Sequence, residues 1–589
     1  MQAASSGLPS WIYKRDGSLA PFEADKISRS LFAATESLGS PNAFLARELA
    51  DSVLHFLRGE ADTAIPSSAQ VAELVEKVVR ELGQPALAQE FADWHERRAL
   101  VKAGSSFPSD QPKEEKQTQQ IQVGPTLVEV RGMLEKESSS IAYLREAGGA
   151  CLREYSLSDV FTRDLTAAIR DGFLTLTGLE TPRELFATVL DTGKLSSEGV
   201  LATLENARET TGQWLAIDGL EYAVVSSPRL QNDFDTEVGG EISAALRMTG
   251  LKAAVNCNCA SPPPWTNDLA KGPLFSQPGE SPRWEKSADI GAALAEKWLQ
   301  TGSGEEIRID WHLCETDFKR ENQGSLLSLA RHALEGRPIL FVFDRPRRPM
   351  SLAEGLDRNH PAVLLQVGVN LPKLLEQPGA RADPDKFLSK LGSLARLALS
   401  AGAQKRDYLR KSARNRRELT RGFLLDRARL VVVPVGLDAV VRELTAKGIC
   451  NGGASLDFGE KIVKTLQEVL IQDGRASHLE TGLDSAWNFS LTEQFQRAVR
   501  ATKSLQLAEV AGLTGWDGTA LGKNQSKAAG VLHSAAETGT AALLVNGEEM
   551  ISPETLIDLL RHAFAQTAIV RLQIIKQIDK PLVTGKTKG

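Results

Sequence analysis

The sequence predicts an α/β protein in which a small α+β domain, made of a hairpin and helices, precedes a much larger α/β domain. Three observations predict this class. A short hairpin and four helical patterns, the third ending at Gly83, fill the first hundred residues, and a polar linker follows them. Helical segments then alternate with short β-rich runs, such as Ile339–Phe343, to the end of the chain. Such alternation is typical of an α/β barrel or a layered sheet.

Length and composition restrict the classes of protein further. The 589 residues are too many for one ordinary domain, and 42% hydrophobic with 24% charged residues is typical of a globular protein with a large core. The net charge of −6 argues against a nucleic-acid partner, and no apolar run is long enough for a membrane partner. Five cysteines and the lack of a secretory signal favour a reducing, cytoplasmic location.

The small domain opens with a predicted β-hairpin. A strand at Ile12 is followed by the turn signal Asp16-Gly17, because glycine accepts the positive φ that such turns need. Leu19 to Phe22 can pair back as the second strand. Asp25 is then expected to cap the first helix.

Three cations accompany this hairpin. Lys14 and Arg15 lie beside the turn, and Lys26 lies in the first turn of the helix, where the helix dipole disfavours a cation unless an anion is near. Cations close to exposed backbone N–H groups favour a polyphosphate site. The alternative is a solvated hairpin tip with ordinary surface charges.

The longer pattern from Ile12 to Ile27 resembles the opening of the ATP-cone domain, the allosteric nucleotide-binding module of ribonucleotide reductases. The similarity continues through Val71 to Glu76 (V-A-E-L-V-E) and through Phe91, His95 and Arg98. It covers about the first hundred residues in the right order and spacing.

This resemblance implies that ATP or dATP, with Mg²⁺, binds between the hairpin and a helical lid. Ala72 stands where several relatives have a polar or histidine residue, so the number and identity of the bound nucleotides stay open. Seven positions match the nucleotide-binding part of the family pattern: Ile12, Lys14, Arg15, Asp16, Gly17, Lys26 and Ser68. Asp16 and Gly17 form the predicted hairpin turn, and Ser68 is the weaker match.

Domain boundaries follow from these patterns. We expect an ATP-cone domain over residues 1–102, a flexible linker over residues 103–122 and a barrel domain over residues 123–589. The linker prediction depends on a polar stretch, Gly104 to Gln120, that is nearly free of apolar residues. A merely variable surface loop is the alternative.

The larger domain resembles anaerobic (class III) ribonucleotide reductases. The resemblance lies in Val367 to Leu375 and in Val433 to Val440, followed by Lys447-Gly448 and Phe458-Gly459. It implies the ten-stranded α/β barrel of the glycyl-radical enzymes. A cone in front of such a barrel is the order those reductases use.

The sequence departs from this family in the residues that generate and store the radical. The resemblance implies a C-terminal glycyl radical, a cysteine at the barrel centre and a four-cysteine zinc site. The chain has no C-x-x-C pair for that zinc site, and Phe341 to Leu371, where the central cysteine is expected, contains no cysteine. Gly585 only faintly resembles the radical glycine, because Lys586 replaces the usual aromatic residue.

Three other thiols are candidate catalytic groups. Cys257 and Cys259 would share one face of a strand, which permits a redox pair or half of a metal site, although we favour two buried structural cysteines. Cys314 follows a strand-like run with His312 nearby and is a further candidate, without assured contact between the two side chains.

The leading hypothesis is an ATP/dATP-binding sensor or regulator on an anaerobic-reductase scaffold that has lost the radical machinery, with itself or a reductase as partner. The alternative is an active reductase that uses these cysteines with Gly585 or with a radical from another subunit. A transcriptional regulator is a third class, because ATP-cones also occur in a zinc-ribbon repressor. The missing zinc ribbon and the acidic charge argue against it.

Overall fold

A computed structural model describes most of the chain in two compact units. The described residues are 8–60, 65–103, 140–191, 200–221, 239–259, 284–300, 307–319, 323–346, 348–412, 424–484, 515–517, 523–546 and 551–577. The first unit comprises Met1–Leu174 and Ser389–Gln404, and the second comprises Thr175–Leu388 and Lys405–Gly589. The predicted linker over residues 103–122 lies outside the described residues except for its first residue, and Gly585 lies outside them too.

The first unit consists of a hairpin and helices. Its elements are β1 (Trp11–Tyr13), β2 (Leu19–Pro21), α1 (Asp25–Ser37), α2 (Ala43–Glu60), α3 (Ser68–Glu81), α4 (Pro85–Ala103), α5 (Ser140–Tyr155) and α6 (Arg163–Arg170). The predicted hairpin is confirmed: β1 and β2 pair antiparallel, and Gly17 adopts a φ of 78° in the turn. The predicted end of the third helix is confirmed too, since Gly83 follows it with a φ of 81°.

The predicted helix cap at Asp25 was wrong by one position. Helix α1 begins at Asp25 itself, and Ala24 stands at the cap without a side-chain hydrogen bond. The Asp25 carboxylate accepts hydrogen bonds from Arg47 and Ser400 instead. A carboxylate that meets a buried guanidinium gains more from that ion pair than from one helix N–H.

The second unit alternates strands and helices. Its strands are β3 (Leu174–Leu176), which starts at the boundary, β4 (Leu185–Asp191), β5 (Thr211–Asp218), β6 (Lys252–Cys257), β7 (Ile307–Leu313), β8 (Ile339–Phe343), β9 (Ala362–Asn370), β10 (Ala428–Val435), β11 (Thr481–Leu483), β12 (Gly515–Asp517), β13 (Thr540–Asn546) and β14 (Arg571–Gln577). Its helices are α7 (Val200–Thr210), α8 (Gly239–Thr249), α9 (Trp284–Gln300), α10 (Gln323–Leu334), α11 (Leu371–Leu375), α12 (Pro384–Ser412), α13 (Leu437–Thr445), α14 (Ala454–Ala476), α15 (Lys523–Ala536) and α16 (Pro553–Gln566). Residues 389–404 of α12 belong to the first unit.

One large sheet organises the second unit. Five parallel strands, β4 to β8, form its middle block. At one end β4 pairs antiparallel with β9, which continues in parallel to β10 and β11. At the other end β8 pairs antiparallel with β14, which continues in parallel to β13 and β12. The predicted α/β class is confirmed.

The strand count differs from the ten expected of the barrel. The described sheet has twelve strands, of which three, β3, β11 and β12, are only three residues long. In the described part of the chain its pairing path ends at β11 on one side and β12 on the other.

The two faces of the sheet have different partners. The helix face carries Ile217, Val255 and Ile309, which pack with apolar residues of the surrounding helices. The loop face carries Ala216, Ala254 and Val431, which pack with three buried residues of the loop between β8 and β9. Those residues are Leu352, Ala353 and Leu356. We call Ser351–Asp357, whose end residues form an isolated β-bridge, the central loop.

Candidate functional site

The first candidate site surrounds the hairpin tip. The N–H of Tyr13 donates to the carbonyl of Pro66 at 3.0 Å, and Tyr13 forms a parallel bridge with Ser67. The hairpin therefore lies beside the N-terminus of α3, where backbone N–H groups and the helix dipole favour an anion. Ser68 is the first residue of α3 and is half-buried, as is Ile12 in the middle of β1.

The N-terminus of α3 is ordered by a capping box. Ser67 Oγ accepts from the N–H of Gln70 at 3.2 Å, and Gln70 Oε1 accepts from the N–H of Ser67 at 2.8 Å. Two of the helix-end donors are thereby satisfied by side chains. The cap fixes the direction of the helix end beside the hairpin, and with it the position of Ser68.

The three predicted cations are all exposed. Lys26 forms a surface ion pair with Glu23 at 2.8 Å. Arg15 donates from Nη2 to the ring of His95, 2.8 Å from Nδ1. Lys14 lies one residue earlier in the turn. Exposed ion pairs of this kind are weak, so an incoming polyphosphate can replace them at small cost.

The contact between Arg15 and His95 joins the hairpin to α4. The His95 ring stacks on Phe91 with centroids 6.0 Å apart, which fixes the ring on the surface of its helix. The guanidinium thus bridges the gap between hairpin and helix, where the ATP-cone resemblance places the nucleotide. The sequence pattern included His95 without assigning it to the site.

Asp16 stabilises the hairpin turn through hydrogen bonds with Ser18. Its carboxylate accepts from the hydroxyl of Ser18 at 2.5 Å and from the N–H of Ser18 at 2.9 Å. These two hydrogen bonds lower the pKa of Asp16. Asp16 and Gly17 therefore shape the turn that carries Lys14 and Arg15.

A buried ionic network begins one residue before Lys26. Asp25 Oδ1 accepts from Arg47 at 2.6 Å, and Asp25 Oδ2 accepts from Ser400 at 2.8 Å. Asp51 Oδ2 accepts from Arg396 at 3.1 Å. Burial opposes the charge of Asp25, but the Arg47 guanidinium outweighs it and lowers the pKa of Asp25. The network ties α1 and α2 to the part of α12 that belongs to the same unit.

The second candidate site lies in the second unit, where β5, β6, β7 and β8 end. Parallel strands bring their carboxyl ends to one edge, where ligands of α/β proteins usually bind. We call this group the strand-end cluster; it consists of Asp218, Glu221, Asn256, Cys259, His312, Asp344 and Arg358. Of these seven residues, the sequence analysis considered only His312 and Cys259 as candidates for chemistry.

His312 is held at both ring nitrogens. Nδ1 lies 3.0 Å from each carboxylate oxygen of Asp344, and Nε2 lies 3.0 Å from Asn256 Oδ1. The Asn256 amide nitrogen donates to the carbonyl of Ile217, which leaves its oxygen to accept from the ring. Burial opposes protonation, but the Asp344 carboxylate prevails and raises the pKa of His312.

Arg358 and Glu221 hold the other end of the cluster. Arg358 donates to both carboxylate oxygens of Asp218 at 3.0 Å, a bidentate pair in a buried setting. Glu221 accepts from the N–H groups of Asn258 and Cys259 at 3.0 and 3.2 Å. Burial nevertheless raises the pKa of Glu221 to about 7, which is suited to general acid or base chemistry.

The expected pairing of Cys257 and Cys259 on one strand face was wrong. Strand β6 ends at Cys257, and Asn258 adopts a φ of 60°, so the chain turns before Cys259. Cys257 packs in the apolar core of the helix face, whereas the Cys259 thiol donates to Asp218 at 3.7 Å. Both thiols are free and buried, which confirms the preferred interpretation.

These thiols are poor ionic nucleophiles. Burial, followed by nearby carboxylates, raises the pKa of Cys257 and Cys259 well above the usual thiol range. Cys314 is only half-buried, with its sulfur 2.9 Å from Thr316 Oγ1, and burial raises its pKa too. His312 points into the strand-end cluster, so the structure does not pair it with Cys314.

The central loop buries a carboxylate on the loop face of the sheet. Glu354 is 2% exposed and adopts a φ of 57° and a ψ of 38°. Its Oε1 accepts from Arg308 at 3.0 Å.

In the part of the chain that the structure describes, no group of three or more His, Cys, Asp or Glu residues could hold a metal ion.

Comparison with known proteins identifies two parts. Residues 11–100 match the family model of the ATP cone domain. The anaerobic ribonucleotide reductase from Thermotoga maritima in complex with dATP and CTP is 12% identical, with a TM-score of 0.58 over 75% of this chain and 85% of that chain. The same enzyme with citrate in the active site gives 12% identity and a TM-score of 0.56, over 76% of this chain and 93% of that chain. No curated protein matches the sequence significantly.

The first hundred residues therefore form an ATP-cone domain, a nucleotide-binding regulatory module. Most of the chain has the fold of the anaerobic ribonucleotide reductases. Both resemblances found in the sequence are confirmed at this level. Among the described helices, none is long and apolar enough to cross a membrane.

Proposed function

We propose that the chain binds ATP and dATP at its ATP-cone domain and acts as a nucleotide sensor or regulator rather than as a ribonucleotide reductase. The observation that carries the binding proposal is the position of the hairpin cations beside the N-terminus of α3. Lys14, Arg15 and Lys26 supply positive charge, and Ser68 begins the helix whose N-terminus lies beside the hairpin. A triphosphate, with or without Mg²⁺, suits this combination.

The thiols support the regulatory part of the proposal. The central loop carries a carboxylate, and the sequence from Phe341 to Leu371 contains no cysteine. Cys257 faces the helix-side core, and Cys314 has no histidine contact in the described structure. No zinc site can be built from C-x-x-C pairs, because the sequence has none.

Calorimetry with the full chain tests the binding proposal. A charge-assisted contact contributes about 1.5–3 kcal/mol, so Lys14→Ala or Arg15→Ala should weaken ATP binding by roughly tenfold or more. Lys77→Ala is the matched control, because Lys77 is an exposed lysine on α3. Unchanged affinity in both hairpin variants would exclude this site.

The output of sensing is proposed to be assembly, with a second copy of the chain or with a reductase subunit. A ligand shifts an equilibrium only when it binds two states differently. A coupling of about 1–3 kcal/mol changes an association constant roughly 5- to 150-fold. Native mass spectrometry at one protein concentration should give different mass distributions with ATP and with dATP. Identical distributions in both nucleotides and without nucleotide would leave self-assembly unsupported.

An active reductase remains the second candidate, because Cys259 lies in a polar cluster at the ends of parallel strands. Its thiol contacts Asp218, and the neighbouring Glu221 has a pKa of about 7. Hydrogen-atom chemistry requires a protonated thiol, which Cys259 retains. An anaerobic assay with an activating enzyme and S-adenosylmethionine, followed by electron paramagnetic resonance, decides the matter. A glycyl-radical doublet would overturn the regulatory proposal.

A further inference from the structure

The buried polar groups of the second unit fall into two kinds. In the strand-end cluster, the side chains of Asp218, Glu221 and His312 find hydrogen-bond partners in Arg358, Cys259 and Asp344 of the same cluster. On the loop face, Glu354 Oε2 and Gln366 Oε1 are fully buried and have no hydrogen-bond partner among the described residues. A buried polar atom without a partner needs a physical explanation, because desolvation is costly.

Two local irregularities place these atoms on the loop face. Glu354 occupies the left-handed region of backbone conformation, which costs a non-glycine residue free energy. Gln366 follows a bulge: Arg429 pairs with Val363, but Leu430 pairs with Leu365. The extra residue in β9 reverses the alternation, so that Gln366 pairs with Val431 and faces the central loop.

The two side chains are neighbours. Gln366 Nε2 donates to the backbone carbonyl of Glu354 at 3.3 Å, which assigns the amide nitrogen and leaves Oε1 as a free acceptor. Glu354 Oε1 is already occupied by Arg308, so Oε2 is the remaining acceptor of that carboxylate. The site therefore offers two acceptors and requires a donor.

The charges around Glu354 also require a cation. Arg308 is paired with Asp310 in a bidentate contact as well as with Glu354. Arg571 contacts Asp484 and donates to the Leu352 carbonyl of the central loop. Among the described residues of this group, two guanidinium groups thus face three carboxylates, and one negative charge has no cationic partner. Buried charges without compensation are strongly unfavourable.

A proton is the default compensation when no ligand is present. Burial raises the pKa of Glu354, and the Asp484 carboxylate raises it as well, against the opposing effects of Arg308 and Arg571. A proton on Oε2 restores the charge balance and turns that oxygen into a donor, whereas a cation with several N–H groups leaves both oxygens as acceptors and donates to each of them. Ca²⁺ and Mg²⁺ suit the site poorly, since they take six or more ligands, and no group of three or more His, Cys, Asp or Glu residues that could hold a metal ion occurs among the described residues.

We propose that Glu354 and Gln366 form a binding site for a small primary ammonium compound on the loop face of the sheet. An ammonium group has three hydrogen-bond donors and one positive charge, and it therefore satisfies both the orphaned acceptors and the charge balance. Its binding displaces the proton of Glu354 to solvent. The site lies in the second unit, whereas the proposed nucleotide site lies in the first.

The test compares ammonium chloride with potassium chloride on the full chain at constant ionic strength. The two cations have the same charge and nearly the same radius, but potassium has no hydrogen to donate. A ligand that binds only the folded state raises the midpoint of thermal unfolding. We expect a larger increase with ammonium than with potassium in the wild-type protein. Equal increases would overturn the proposal.

Variants assign the effect to the site. Glu354→Gln removes the charge in the same shape and should weaken the apparent ammonium affinity about tenfold or more, as loss of a charge-assisted hydrogen bond requires. Glu468→Gln, which changes an exposed carboxylate on α14, should keep the wild-type preference. If Glu354→Gln fails to fold, Gln366→Leu provides the same comparison. An ammonium preference that persists in a folded Glu354→Gln or Gln366→Leu variant would contradict the assignment.

Discussion

The ATP-cone domain and the large sheet use charge in opposite ways. Lys14 and Arg15 of the hairpin and Lys26 of α1 are exposed, and the ion pair between Lys26 and Glu23 is an exchangeable surface contact. The sheet instead buries its ions in mutual pairs, such as Arg358 with Asp218. Exposed charges are available to a ligand at small cost, whereas buried pairs mainly stabilise one arrangement of the chain.

Because of this difference, we expect substitutions in the two regions to affect different properties, namely nucleotide affinity in one and folding stability in the other. Removing a hairpin cation should change nucleotide binding with little effect on folding. Removing a buried sheet cation should change folding first, because its partner is left charged in an apolar environment. Experiments on the two regions can therefore confirm the contrast or contradict it.

The largest expected effect is on the buried pair of the sheet. Arg358→Met leaves Asp218 without its bidentate partner and should lower the free energy of unfolding by about 3–5 kcal/mol. Arg410→Met is the matched control: its pair with Asp426 is about half exposed on both sides, and the expected loss is below about 1 kcal/mol. Urea unfolding followed by tryptophan fluorescence measures both. Similar losses in the two variants would contradict the contrast.

The second prediction concerns the buried network of the first unit. Ser400→Ala removes a hydroxyl that donates to Asp25 at 2.8 Å, and a hydrogen bond to a charged group contributes about 1.5–3 kcal/mol. The midpoint of urea unfolding should fall accordingly. Ser412→Ala on the same helix is the control, because its hydroxyl donates only to helix carbonyls. An unchanged midpoint for Ser400→Ala would show that Asp25 is satisfied without it.

The local features of the fold could be predicted from the sequence, and the long-range contacts could not. Gly17, Gly83 and the β-rich run Ile339–Phe343 carry their conformational signals within a few residues. The hydrogen bonds of Asp25 with Arg47 and Ser400 join positions that are distant in sequence, so no local sequence pattern predicts them. For this reason the helix cap was predicted at Asp25, where an ion-pair partner lies instead.

The same limit applies to the candidate sites. The cations of the hairpin lie within a short stretch, so the sequence pattern could group Lys14, Arg15 and Lys26. The strand-end cluster is assembled from four strands and a loop, and only the fold brings Glu221 to Cys259. Lys405 is a further example: it lies in a stretch of the sequence that is rich in cations, yet it is buried and donates to the Thr181 and Pro182 carbonyls. Burial lowers the pKa of Lys405 to about 7.

The third prediction uses opposite pH dependences in the two regions. The pKa of Asp25 is lowered in the folded state, so its contribution is present above the unfolded value of about 3.9 and is lost as the pH falls below that value. The pKa of His312 is raised, so its contribution is present below about 6.5 and is lost as the pH rises through the folded value. Asp25→Asn should therefore flatten the acid side of the stability profile, and His312→Gln the neutral-to-alkaline side. A profile that loses both slopes in either variant would contradict the separation.

The smallest expected effect concerns the contact between Arg15 and His95. The guanidinium donates to the ring, and a triphosphate must compete with the ring for that donor. The contact is exposed, so its loss is worth about 1 kcal/mol or less, and His95→Ala should strengthen ATP binding by no more than about fivefold. Calorimetry with Arg15→Ala and with the double variant completes the cycle, because His95→Ala should have no effect once Arg15 is absent. A loss of affinity in His95→Ala would show that the ring itself contacts the nucleotide, and that the hairpin and α4 hold the ligand together.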